Sequence, residues 1–291
     1  MPKPPAAPAI LSIQSEVVAG HVGNGAARPA LQRLGFEVWA LPTIVLSNHP
    51  GHGAFRGRAS DPALLADLLS GLDEGGWLRH CAGVLTGYMA TEGAGAVAAD
   101  SIARVRAASP RAIVAVDPVM GDFPKGLYVR PELVEVFRDR LVPAADVATP
   151  NRFELELLAG REARDLAGAV AAAGAVRAMG PRIVLCTSLE RPDRPEGRHE
   201  TLAVGPDGAW VASVPALAGV PNGAGDLLSA LFLAALARGA DLPAALGRAV
   251  AGTWRVLSES VARGADELAL IPALDQLAAE DGAAAEIARV D

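Results

Sequence analysis

Residues 111–116, Arg-Ala-Ile-Val-Ala-Val, are apolar along both alternating sets of positions. Successive side chains of a strand point to opposite faces, so a strand of this kind has to be covered on both. Short apolar runs of the same character recur at 9–14, 37–42, 82–88, 146–149 and 182–186. Helical segments separate most of them, at 26–34, 61–71, 91–108, 131–141, 155–159 and 165–179. The alternation predicts βαβ units and an α/β fold, a mostly parallel central sheet with helices on both faces in three α/β/α layers. Further on, 201–204 and 209–214 flank Gly205-Pro206-Asp207-Gly208, a hairpin signal, and helices follow over 226–238 and 242–260. No repeat or linker breaks the pattern. Residues 9–291 are therefore expected to form a single domain behind a disordered, Pro/Ala-rich tail over 1–8. The charged, Pro-rich stretch 189–200 reads as a mobile surface loop.

Composition narrows the function. The formal net charge is −7, which argues against nucleic acid as the main partner, because phosphate backbones need clustered Lys and Arg. No apolar run approaches the roughly 20 residues of a membrane span. The two cysteines, Cys81 and Cys186, have no metal-type spacing and suit a reducing cytoplasm as buried fillers.

The chemistry centres on Val220-Pro221-Asn222-Gly223-Ala224-Gly225-Asp226, which runs into the apolar stretch 227–233. Two glycines one residue apart let the backbone turn tightly. The following helix opens with unpaired N–H groups and a partial positive charge, a place for an anion such as phosphate. Asp226, at the mouth, is positioned to take a proton from a hydroxyl while those N–H groups stabilise charge on a transferred phosphoryl group. Asp is equally a favoured helix cap, so this stretch alone leaves both roles open.

In an open parallel sheet, ligands bind beyond the carboxyl ends of the strands. The residues expected there are Ser15, Thr43, Tyr88, Asp117, Thr149, Asn151, Thr187, Ser188 and the turn 223–226. The polar, Gly-rich stretch 43–53 holds two of the five histidines, His49 and His52, and is read as a loop of binding type or a merely solvated one. Asp117, Asp122, Glu154 and Asp226 would converge on the same edge, where uncompensated carboxylates resist desolvation. A hard divalent cation such as Mg²⁺ relieves that. Asn151 with Glu154 three residues on is also a capping box, compatible with holding a metal-bound water. Walker A and protein-kinase signatures are absent, and the turn after the first strand lacks the dinucleotide glycine order. The residues point to phosphoryl transfer from a nucleotide to a small alcohol.

Gly223-Ala224-Gly225-Asp226 resembles the signature of ribokinase-like small-molecule kinases, and several further segments are similar to the pyridoxal kinase family within them. These are Ile13-Gln14-Ser15 with Gly20, Gly23 and Asn24, then Ser47-Asn48-His49, Thr86-Gly87-Tyr88, the run from Asp117 to Asp122, Thr149-Pro150-Asn151 with Glu154, Thr187-Ser188, and Glu267-Leu268. The resemblance covers about residues 10–277. It implies a ribokinase-like fold and ATP-dependent phosphorylation of the 5′-hydroxymethyl group of pyridoxal, with pyridoxine and pyridoxamine as further substrates. It implies Asp226 as base and the N–H groups of Gly223, Ala224 and Gly225 as the anion hole. Ser15, Thr43, His49 and Tyr88 would hold the pyridine ring. Asp117, Thr149, Asn151, Glu154, Thr187 and Ser188, with Gly223 and Gly225, would contact ATP. Asp122, Tyr128 and Glu154 would organise Mg²⁺ and its waters. A homodimer, and help from K⁺, are implied as well. The chain departs from the family at Ala224, where Thr is commoner, at Glu16, where His is frequent, and at His52-Gly53-Ala54-Phe55, where an aromatic Tyr or Trp is frequent. The alternatives are a hydroxymethylpyrimidine kinase on the same fold and a non-catalytic carrier of B6 vitamers.

Overall fold

The computed structural model describes residues 5–189, 191–278 and 285–290. The chain begins with β1 (Ala9–Val17), α1 (Asn24–Arg33), β2 (Glu37–Leu46), β3 (Gly57–Ala59), α2 (Pro62–Glu74), β4 (Cys81–Thr86), α3 (Glu92–Ala108) and β5 (Ile113–Val116). A small hairpin of β6 (Gly121–Asp122) and β7 (Gly126–Leu127) follows, then α4 (Pro131–Val136), β8 (Val147–Ala148), α5 (Arg152–Ala159), α6 (Leu166–Arg177) and β9 (Ile183–Cys186). The last part is β10 (Arg198–Gly205), β11 (Gly208–Pro215), α7 (Ala224–Ala237), α8 (Leu242–Ala262), α9 (Leu270–Ala273) and β12 (Glu286–Val290).

Ten strands form one sheet in the order β12-β11-β10-β9-β8-β5-β4-β1-β2-β3. The six from β2 through β1, β4, β5 and β8 to β9 pair in parallel, and antiparallel strands extend both edges. Strand pleating sorts the apolar residues into two cores. Leu11, Val84, Val114, Val116, Val184 and Cys186 face one, under α2, α3, α4, α5 and α6. Ile10, Leu85, Ala115, Val147 and Leu185 face the other, under α1, α7, α8 and α9. The three layers expected from the apolar runs are thus present. α7 is the inner helix of the second core. It is apolar nearly all round, and Leu227, Ala230, Phe232 and Leu233 are completely buried, as expected of a helix with neighbours on every side. β1 pairs with β2 on one side and β4 on the other, so the strand order reverses at its C-terminal end and opens a crevice there.

Several expectations need correcting. β1 continues to Val17, so Ser15 lies within the strand, at an irregularity between Gln14 and Glu16. β2 runs on to Leu46, so residues 43–46 are strand; they pair with both β1 and β3. The loop expected around 121–126 contains the β6–β7 hairpin. The helix expected over 131–141 is α-helical only to Val136 and widens into a π turn over Phe137–Leu141. The stretch 189–200 is pinned at both ends. Leu189 is buried and its N–H donates to the Glu200 carbonyl, while buried Glu200 takes two hydrogen bonds from Arg191. Charge in this sequence therefore marked an internal ion pair. Of the tail expected over 1–8, residues 1–4 lie outside the described residues, as do 190, 279–284 and 291. Pro8 already accepts a hydrogen bond from Glu37 N–H.

Because α7 is packed on all sides, truncation of Phe232 leaves a void that its neighbours cannot close. Phe232→Ala should lower the unfolding free energy by about 3–5 kcal/mol, read from urea denaturation.

Candidate active site

Two glycine turns meet at the crevice. Gly223 (φ +95°) caps α7, and a Cβ there would collide with the His21 carbonyl. Gly23 (φ +53°) precedes α1, and a Cβ there would collide with the carbonyl and hydroxyl of Ser15. Only glycine meets both demands, left-handed backbone and van der Waals contact with another chain segment. The two turns are joined directly, as Gly23 N–H donates to Asp226 Oδ2 at 2.8 Å. Asp226 therefore does not cap its own helix; the N-cap is Gly223, with no side-chain cap bond. Its carboxyl is held at the opening turn of α7, where the first N–H groups have no intrahelical partner. Burial pushes the Asp226 carboxyl up to about 6, opposed by the Gly23 N–H bond. At neutral pH it is then an ionised carboxylate of raised basicity.

Further carboxylates stand on the same edge. Asp117 follows β5 and is buried. Burial, then repulsion from Glu154 and Asp226, raises its carboxyl well above the usual range. Ser229 partly offsets this by donating to Asp117 Oδ2 at 3.0 Å. Ser229 lies one turn beyond Asp226 on α7 and also hydrogen-bonds Thr149 Oγ1 at 2.8 Å. Glu154 is only 2% exposed. Its Oε2 accepts from Asn151 N–H at 2.9 Å, closing the expected capping box, and its Oε1 accepts from Met120 N–H at 2.8 Å. Burial raises Glu154, these backbone N–H groups lower it, and Asp122 raises it again. Tyr128 is also raised, by burial first and then by Glu154, Asp117, Asp122 and Asp226. The four acidic residues thus share one electrostatic neighbourhood.

On one side of Asp226, Thr43 is wholly buried and donates to the Tyr88 carbonyl at 2.7 Å, holding the turn after β4 against β2. The Tyr88 phenol is raised by burial. His49 caps a short 3₁₀ turn, its Nδ1 accepting from Gly51 N–H at 3.1 Å. Burial lowers the His49 ring; Glu267 opposes that, and His52 and Lys125 reinforce it, so the neutral ring is favoured. Ser15 is half-buried beside Gly23. On the other side, Thr187 N–H donates to the Pro150 carbonyl at 3.0 Å, which brings 149–151 and 187–188 together at the ends of β8 and β9.

Sequence reasoning missed Ser229 and gave no role to Gln14, Asn24 and Thr86, which it named only within segments resembling the family. Ser229 is a lone hydroxyl at i+3 from Asp226 in an apolar helix, and that spacing was the available signal. Gln14, Asn24 and Thr86 are buried at the C-terminal ends of β1 and β4 and at the start of α1. Asn24 Nδ2 donates to the Gln14 carbonyl at 3.2 Å, while Asn24 Oδ1 and Thr86 Oγ1 have no hydrogen-bond partner among the described residues. Among the described residues, no group of three His, Cys, Asp or Glu side chains is arranged to hold a metal ion. The donor set fits a cation that keeps most of its waters and binds mainly through phosphate, as Mg²⁺ does.

This edge combines a basic carboxylate, a helix opening and a bank of desolvated acids, as phosphoryl transfer to an alcohol requires. The phosphomethylpyrimidine kinase family profile matches residues 80–270. The chain is 48% identical to a pyridoxal kinase PdxY of Rubrobacter xylanophilus over 93% of both chains. It is 45% identical to one of Deinococcus radiodurans over 91% of both. The structure of pyridoxal kinase from Leishmania donovani in complex with ADP and pyridoxamine superposes with a TM-score of 0.90 at 32% identity, covering 98% of this chain and all of the other. The chain belongs to the pyridoxal kinases, in the phosphomethylpyrimidine kinase family with its ribokinase-like fold.

Proposed function

We infer that this protein is a pyridoxal kinase, transferring the γ-phosphoryl group of ATP to the 5′-hydroxymethyl group of pyridoxal in vitamin B6 salvage. The observation that carries the mechanism is the placement of Asp226, a carboxylate of raised basicity fixed by Gly23 N–H at the opening of α7. Asp226 takes the proton of the attacking hydroxyl. The N–H groups of Gly223, Ala224 and Gly225 receive the charge that builds on the migrating phosphoryl group. Ala224, in place of the commoner Thr, keeps its N–H, and a hole made of backbone needs nothing more. Ser15, Thr43, His49 and Tyr88 form the acceptor side, with Thr43 acting through the Tyr88 carbonyl. Asp117, Thr149, Asn151, Thr187 and Ser188 form the nucleotide side, and Ser229 links Asp117 and Thr149 to the helix of the base.

Mg²⁺ would be held by Asp122, Tyr128 and Glu154 through its waters, and would supply charge neutralisation on the phosphates. Both Glu154 oxygens already accept backbone N–H bonds, which suits contact through water. Residues 9–291 are proposed as one kinase domain, since the same sheet takes in β1 near the start and β12 near the end. A homodimer is carried over from the resemblance and a cytoplasmic place from the two cysteines, which lack metal-type spacing; exposed Val18, Val45 and Phe55 near β2 and β3 offer apolar surface for a second copy. K⁺ assistance rests on the resemblance alone.

The family profile's name favours one other acceptor, hydroxymethylpyrimidine. Turnover of pyridoxal and hydroxymethylpyrimidine at matched concentrations decides between them: pyridoxal should give the larger kcat/KM, and preference for the pyrimidine overturns the assignment. A mere carrier would bind pyridoxal without consuming ATP.

Asp226→Asn should lower kcat by about 10²–10⁴-fold while the protein stays folded; activity within a few-fold of the parent would remove Asp226 as base. The base works only when deprotonated, so kcat/KM of the parent should fall as pH drops through about 6, measured as a rate profile at saturating Mg²⁺. Glu154→Gln should shift the Mg²⁺ titration of the rate to higher concentration, and an unmoved titration counts against its place near the metal.

A further inference from the structure

Glu267 lies between α8 and α9, outside the groups used above. The segment that carries it is firmly seated. Leu268 and Leu270 are buried, and Ala269 N–H donates to Ser260 Oγ at 2.8 Å. Leu268 also packs on the Gly223 turn, its Cδ1 being 3.0 Å from where a Cβ of Gly223 would stand. From this base the Glu267 carboxylate reaches two other segments. Its Oε2 accepts from His21 N–H at 2.9 Å, in the first glycine turn. Its Oε1 meets His52 Nε2 at 2.6 Å, in the loop after β2. The His52 ring stands edge-on to that of His49 at 6.4 Å between centroids. Gly51, between them, comes close to Asn222, with 3.0 Å from its Cβ position to Asn222 Nδ2. One carboxylate therefore ties together the turn that holds Asp226, the segment packed on the anion-hole turn, and the loop that carries His49.

We propose that Glu267 is a positioning residue for the acceptor substrate, acting through His52 to set the His49 loop at a fixed distance from the Asp226 carboxylate. The inference rests on the acceptor-side reading of His49 given above. Without the Glu267–His52 contact, the loop would remain joined by backbone to β2 and β3 but would lose its registration with the catalytic turns. Acceptor binding would weaken, and the nucleotide side, held by separate bonds at 149–151 and 187–188, would not.

The test compares the full-length parent with Glu267→Ala, Glu267→Gln and His52→Ala. Pyridoxal affinity is measured as KM in turnover and as Kd without nucleotide, alongside kcat, KM for ATP and the thermal midpoint. Glu267→Ala and His52→Ala should each raise pyridoxal KM and Kd by about tenfold, the size of one lost charge-assisted hydrogen bond. His52→Ala should leave kcat and ATP KM within about threefold, and the double variant should bind pyridoxal no worse than the worse single one, because the two residues act as a unit. Glu267→Gln keeps an acceptor for His21 N–H and offers His52 an amide N–H, which the neutral ring can accept at Nε2 in its other tautomer, and should recover most of the affinity. The proposal is overturned if pyridoxal KM and Kd in His52→Ala stay within about twofold of the parent. It is also overturned if kcat, ATP KM and the thermal midpoint worsen along with them, which would make the contact merely structural. His52→Ala alters an exposed loop and leaves the Glu267–His21 bond in place, so it decides the matter even if Glu267→Ala fails to fold. Failure of the pyridoxal reading shows separately, as preferred turnover of hydroxymethylpyrimidine by the parent; the same comparison is then read with that acceptor.

Discussion

A single hydrogen bond, from Gly23 N–H to Asp226 Oδ2, joins the beginning of the fold to its chemistry. It forms only because two glycines bring backbone to backbone, Gly23 against Ser15 and Gly223 against the His21 carbonyl. The consequence is electrostatic as well as geometric. Burial alone would drive the carboxyl towards its neutral form, and the N–H bond holds it back, leaving a carboxylate of raised basicity that is still ionised near neutrality, as the proposed base would need to be. The parallel sheet makes the meeting possible, since β1 and the turn before α7 arrive at one edge despite some two hundred intervening residues.

The rest of the edge gathers buried negative charge. Asp117 and Glu154 are buried near each other and near Asp226, and each is pushed towards protonation. Backbone N–H groups and the Ser229 hydroxyl make up part of the lost hydration. An arrangement strained in this way would gain from a cation and from the polar groups of a bound nucleotide, so under the proposed function the carboxylates that cost stability would supply binding. Ser229 gives the arrangement stiffness, because it connects Asp117 and Thr149 to the helix that carries Asp226.

Much of this was legible before any coordinates. The doubly apolar strands announced a covered parallel sheet, and both cores follow the alternation of residues such as Val84 with Leu85 and Val114 with Ala115. The capping box of Asn151 and Glu154 was readable because it is local, set by a spacing of three. Asp226 was less so: its sequence context fitted a cap as well as a base, and a partner 203 positions away removed the cap reading. At 189–200 the surface placement expected from the charge holds for the exposed residues 192–197, while Arg191 and Glu200 neutralise each other beneath them. Edge strands β3 and β12 were missed because short exposed strands carry little apolar pattern.

The sequence by itself determined the layers of the fold and the residue types at the strand ends, because hydrophobic periodicity and local backbone demands act over a few residues. It also carried the family signature, since Gly223, Gly225 and Asp226 are adjacent. Tertiary structure alone decided which residues became partners: Gly23 with Asp226, Ser229 with Asp117, Glu267 with both His21 and His52. Those pairings depend on how far a buried charge can reach for a donor once water has been removed. Desolvation of that kind belongs to the assembled molecule and is written in no short stretch of the chain.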